Sequence, residues 1–131
     1  MSTPSDHVTF TSGAFPVEPG EDQETNPGIY GRTLATWVAQ KLRDRGIPVV
    51  EVLAEDFGRI VIVRRKPYLL WIGCASIDNS QREWQMFLAL ELGLFGRLLH
   101  RKEGQEELDR LRGHFRAIVA EIPGVSAIEW Q

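Results

Sequence analysis

The sequence holds a single cysteine, Cys74, in 131 residues. A lone thiol excludes an internal disulfide and points to a reducing compartment, so a cytoplasmic protein is expected. Metal-ligand spacing is missing too. His7, His100 and His114 lie far apart, and there is no second cysteine to complete a finger. Positive charge is not in surplus: the net charge is −3 and the pI about 5.6, which argues against nucleic-acid binding through a basic surface. No apolar stretch approaches the roughly 20 residues that span a bilayer, and Met1–Phe10 has no basic start followed by an apolar run. Neither a membrane partner nor a secretory signal is therefore expected. No internal repeat or low-complexity tract is visible.

What is present is ordinary for a globular chain: 43% hydrophobic and 25% charged residues, at a length that suits one domain. Four tryptophans are the unusual count. The chain is organised around Pro48 to Leu92, which reads as four strands: Val49–Glu55, Arg59–Arg65, Tyr68–Ala75 and Trp84–Leu92. Ile60-Val61-Ile62-Val63 is β-branched throughout, which favours a pleated surface. Glu55-Asp56-Phe57-Gly58 and Lys66-Pro67 are hairpin punctuation, and the polar Ser76–Glu83 is a longer loop. Short turns join antiparallel neighbours, so these strands form a meander.

The flanks complete the layout. Met1–Asp6 is expected to be disordered, leaving a single domain over 7–131. His7–Thr11 alternates as a first strand, with a possible extension towards Val17. Glu18–Glu24 is an acidic loop, read as a solvated connection in preference to a contact for a cationic partner. A first helix is expected over Tyr30–Arg45, with Asn26-Pro27 at its entry, Leu34, Trp37, Val38 and Leu42 on one face, and Gly46 as its stop. Gly93–Gly104 reads as a connection with a basic cluster at Arg97, His100, Arg101 and Lys102. A second helix over Gln105–Glu121 carries Leu108, Leu111, Phe115 and Ile118, and Val125–Trp130 is a possible closing strand. Strand, helix, four strands, helix and a last strand specify an α+β two-layer domain, an antiparallel sheet with two helices on one face, like the TATA-binding-protein-like arrangement of a single repeat.

Chemistry is scarce in this pattern. Cys74 falls in a buried strand with no histidine in a recognisable catalytic context, so a structural thiol is expected. The turn acids Glu55, Asp56 and Asp78 read as turn acids, with no metal site. Pro27-Gly28 and Gly31 precede a helix but match neither nucleotide fingerprint, and no cofactor is expected. No catalytic residue is assigned, and a non-enzyme is expected.

The pieces Glu24-Thr25-Asn26-Pro27-Gly28-Ile29-Tyr30-Gly31, Leu34-Ala35-Thr36-Trp37, Glu55-Asp56-Phe57-Gly58 and Trp71-Ile72-Gly73-Cys74 together resemble a group of small bacterial proteins, from about residue 10 to the C-terminus. The group is expected to carry Trp where Phe57 stands. The resemblance implies a bacterial single-domain protein of shared fold. It implies no activity and transfers no site residue.

The functional expectation comes from the sheet. Ile60–Val63 and Leu69–Ile72 are apolar on both faces, yet two helices cover only one. The far face is expected to bind a second copy or another protein, with Phe87 as anchor, Glu51 and Glu91 at the rim, and Tyr68 beside them. The alternative is a small-molecule pocket on that face, walled by Tyr68 and Phe87. A covering by the N-terminal segment would make the face merely structural.

Overall fold

The computed structural model describes residues 6–131. The expected terminal disorder therefore falls outside the described residues, apart from Asp6. Asp6 is held: its carboxylate accepts from Arg112 Nε at 2.5 Å, and its carbonyl from the Leu88 N–H at 2.9 Å.

Six strands form one antiparallel sheet. They are β1 (His7–Thr11), β2 (Glu51–Glu55), β3 (Gly58–Arg64), β4 (Leu69–Ser76), β5 (Glu83–Glu91) and β6 (Ser126–Trp130). Their order across the sheet is β2-β3-β4-β5-β1-β6. The meander β2–β5 follows the turns read from the sequence, with boundaries shifted by one or two residues. β1 adds on beyond β5, pairing His7 with Phe87 and Thr11 with Glu83. β6 forms the edge, with Ala127 in a left-handed conformation beside a register shift opposite Thr9 and Thr11.

Helices α1 (Arg32–Asp44) and α3 (Arg101–Ala120) both pack on one face of the sheet. Between that face and the helices lies the core, with Val61, Leu70, Ile72, Trp84 and Met86 from the strands and Leu34, Val38, Leu111, Phe115 and Ile118 from the helices. Period-two alternation places Trp84, Met86 and Leu88 here and Phe87 opposite. Trp37 departs from expectation. It sits on the rim of the core, edge-on to Phe15 at 5.8 Å and under the Lys41 ammonium at 5.4 Å. Ala35 and Ala39 occupy the sheet-facing stripe instead, and their small side chains let α1 approach closely.

The entry to α1 also differs. Asn26 does not cap it. The buried carboxylate of Glu21, from a 3₁₀ turn at Glu21–Gln23, accepts from the Gly31 N–H at 3.3 Å, the Arg32 N–H at 3.0 Å and the Glu18 N–H at 2.8 Å. An acid about ten residues upstream satisfies the helix-end donors that a local cap would serve. Gly31 and Gly58, from two different segments, both press on the Cys74 carbonyl. A Cβ at either would lie 2.8 Å or 2.5 Å from that oxygen. Both have left-handed φ values, 153° and 152°, so glycine is required twice over.

The stretch Gly93–Gly104, expected as a connection, holds a further helix, α2 (Gly93–Leu99), and the first turn of α3. Two glycines within seven residues lower the helical signal of α2. Gly96 is buried because it faces the body, where a Cβ would meet Leu92 at 3.4 Å and the Pro67 carbonyl at 3.9 Å.

Candidate functional site

The far face of the sheet carries an aromatic cluster. One cross-strand row reads Leu53, Ile60, Gly73, Phe87 and His7, from β2 through β1. The next reads Glu51, Ile62, Trp71 and Ala89. Gly73 is the floor of the first row. A Cβ there would lie 2.4 Å from Cζ of Phe87, so the ring lies over a position that only glycine leaves open. Trp71 meets that ring edge-on, with centroids 5.5 Å apart and planes at 72°. Phe57 reaches over from the β2–β3 turn, 5.7 Å from Phe87 and 6.0 Å from Trp71. His7 completes the strip, edge-on to Phe87 at 6.1 Å. Such edge-on and tilted pairs suit the ring quadrupoles.

This cluster explains the doubly apolar strands. Ile60 and Ile62 point to the far face, yet they are only 6% and 1% exposed. Among the described residues no helix lies there, and the cover comes from side chains of the sheet itself and its β2–β3 turn. Among the described residues, the N-terminal segment does not supply it. β1 lies within the sheet, and Phe15 beyond it turns to the helix side, edge-on to Trp84 at 6.1 Å. Phe57 is 41% exposed, while Trp71 and Phe87 are half-buried.

Of the residues expected at this face, Phe87, Glu51 and Glu91 come together on it. Glu91 accepts from the Trp71 indole N–H at 2.8 Å, and Glu51 pairs with Arg65 at the border. Tyr68 does not belong here. It precedes β4, is 3% exposed and faces the helix-side core, where its hydroxyl donates to Glu107 of α3. Period-two alternation puts its ring on the side of Leu70 and Ile72, opposite Trp71. Burial, followed by the bond to Glu107, pushes its phenol up to about 12. Arg64 Nε donates to the same carboxylate at 2.6 Å, which raises its guanidinium further.

Sequence reasoning missed Trp71 and Phe57. The unbroken run Leu69–Ile72 hides the alternation that would have singled out Trp71, and Phe57 sits in a turn, outside any period. Gly73 was the available signal, since a glycine inside a strand marks a close approach.

The chemistry-bearing residues are spread out. Cys74 is fully buried in the helix-side core, and burial pushes its thiol well above the usual range, away from the reactive thiolate. His7 bonds Gln85 at 3.0 Å, His100 pairs with Glu103 at 3.1 Å, and His114 meets Arg45 at 3.3 Å. Among the described residues, no group of three or more His, Cys, Asp or Glu side chains is arranged to hold a metal ion. Open depressions include one of about 280 Å³ beside Thr9, Asp78 and Glu129 and one of about 170 Å³ beside Ile47, Glu107 and His114. Neither is lined by Phe87 or Tyr68. Among the described residues, no helix is long and apolar enough to cross a membrane. No protein-family model, curated protein or solved structure matches the chain.

Proposed function

We propose that the protein is a non-enzymatic protein-binding module whose contact surface is the sheet face opposite the helices. The observation that carries this reading is the Phe57–Trp71–Phe87 cluster, an aromatic centre on a face that, among the described residues, neither helix nor N-terminal segment covers. Aromatic anchors with a polar border are the composition that protein interfaces favour. The Glu51–Arg65 pair and Glu91 supply the border. The occupant is a second copy of the chain or a different protein. The lone buried thiol fits a reducing, cytoplasmic setting. The pocket alternative loses one wall, because Tyr68 faces the other side of the sheet.

Sedimentation equilibrium of the wild type and Phe87→Glu tests the reading. For self-association, the charge should weaken the dimer by at least about tenfold, because it falls at the desolvated centre. For a different partner, the wild type stays monomeric and the same change weakens capture of that partner. If the wild type stays monomeric and every partner it binds tolerates Phe87→Glu, the face is structural only.

A further inference from the structure

The helix α2 exposes its apolar side chains almost completely. Leu94, Phe95, Leu98 and Leu99 are 75%, 74%, 76% and 73% exposed. At helical spacing these four occupy one broad arc, while buried Gly96 on another side fastens α2 beside Pro67 and Leu92. An exposed cluster of this kind exceeds what isolated surface leucines produce and marks a contact surface.

Between Glu91 and Glu103, the stretch that holds α2, charge is of one sign. From Leu92 to Lys102 the chain carries Arg97, Arg101 and Lys102 and no acid, although its net charge is −3. The neighbouring β3–β4 turn adds Arg65 and Lys66. Two acids at this end are balanced by arginines, Glu51 by Arg65 and Glu107 by Arg64, while Glu91 accepts from the Trp71 indole and Glu103 meets His100. The strand registers put the opposite pole of the molecule at the β2–β3 turn and the loop packed on it, where Asp22, Glu24, Glu55, Asp56 and Asp78 gather.

We propose that α2 and its surrounding cations dock on an anionic lipid bilayer, with the acidic pole facing away. An apolar wedge with basic flanks is the composition of an interfacial helix, in which side chains enter the headgroup region and cations meet lipid phosphates. A second copy fits less well, because a two-fold pairing of α2 would set Arg97, Arg101 and Lys102 against their own counterparts. A protein groove also fits less well. Groove-binding helices present anchors over i, i+3, i+4 and i+7, whereas these anchors span only Leu94 to Leu99. The expectation of no membrane partner rested on the lack of a spanning segment, which leaves surface attachment open.

Flotation of the intact protein with phosphatidylcholine vesicles, with and without phosphatidylglycerol, tests this. The wild type should float with the anionic vesicles and fall off as salt is raised. Phe95→Ser with Leu98→Ser should reduce binding more than tenfold. Arg97→Glu and Lys102→Glu should each reduce it by roughly fivefold or more. Thermal melts should be unchanged in all these variants, because the altered side chains lie in solvent. Wild-type protein that does not float at low salt overturns the proposal, as does binding indifferent to Phe95→Ser/Leu98→Ser. If vesicles are not bound and that double variant instead abolishes a dimer or the capture of an acidic protein, the patch is a protein interface. Phe87→Glu should leave flotation unchanged, which keeps this result separate from that of the sheet face.

Discussion

Single carboxylates hold much of the local structure in place. Glu107 receives both the Tyr68 hydroxyl and the Arg64 guanidinium, joining α3 to β3 and the residue before β4. The Tyr68 phenol titrates near 10 when unfolded and near 12 when folded. Between these values the unfolded chain has lost the proton that the folded chain keeps, so stability falls as pH rises from 10 to 12. Below pH 10 the contribution is complete. Tyr68→Phe should flatten this alkaline decline and cost about 1.5–3 kcal/mol near neutrality, the value of a hydrogen bond to a charged group. Urea melts of both proteins between neutral pH and pH 12 would check this, and identical alkaline slopes would sink it. Glu21 makes a sharper case. Its buried carboxylate serves three backbone N–H groups, so Glu21→Ala should cost about 2–3 kcal/mol through unsatisfied donors and a lost cap. A melt within about 0.5 kcal/mol of wild type would contradict that assignment.

Among the elements, α3 and α1 contribute unequally. Phe115 is fully buried and edge-on to Trp130 at 5.7 Å, so Phe115→Ala should cost about 3–5 kcal/mol. Trp37 lies on the rim, and Trp37→Ala should cost about 1–2 kcal/mol, mainly from lost contact with Phe15 and Lys41. Denaturant melts that reverse this order would refute the helix orientations. The strand pattern was legible because β-branched runs, hairpin glycines and Lys66-Pro67 act within a few residues of one another. α2 was not legible, since its glycines and its unburied leucines match neither a core helix nor a loop. Tyr68 and Trp71 were read on the wrong side or overlooked for one reason: a strand apolar on both faces offers no alternation to assign sides. Gly73 did carry that information. Gly73→Ala would push a methyl into the Phe87 ring and should destabilise by about 1–3 kcal/mol, while making Phe57 and Trp71 more accessible to solvent. Trp fluorescence quenching by iodide would report that change.

At the scale of the molecule the two proposed surfaces occupy different places. The aromatic cluster lies in the middle of the open sheet face, built on β4, β5 and the β2–β3 turn. The α2 wedge lies at the end of the strands, beyond β5 and beside the β3–β4 turn. Glu51, Arg65 and Glu91 border both surfaces, but their centres differ: Phe87 contacts Phe57, Trp71 and His7, whereas α2 rests on Leu92 and Pro67. Substituted side chains that do not touch one another behave additively. Phe87→Glu should therefore alter protein association and leave vesicle binding within about twofold, and Phe95→Ser/Leu98→Ser should do the reverse. The triple variant should show the sum of both losses in free energy. Sedimentation and flotation on the same four proteins give all the required values. Should Phe87→Glu weaken flotation as strongly as the α2 changes, the two surfaces would be one continuous interface, with the bilayer-facing protein in an associated state. Should they separate, the sheet face is free to hold a partner while the basic end rests on lipid.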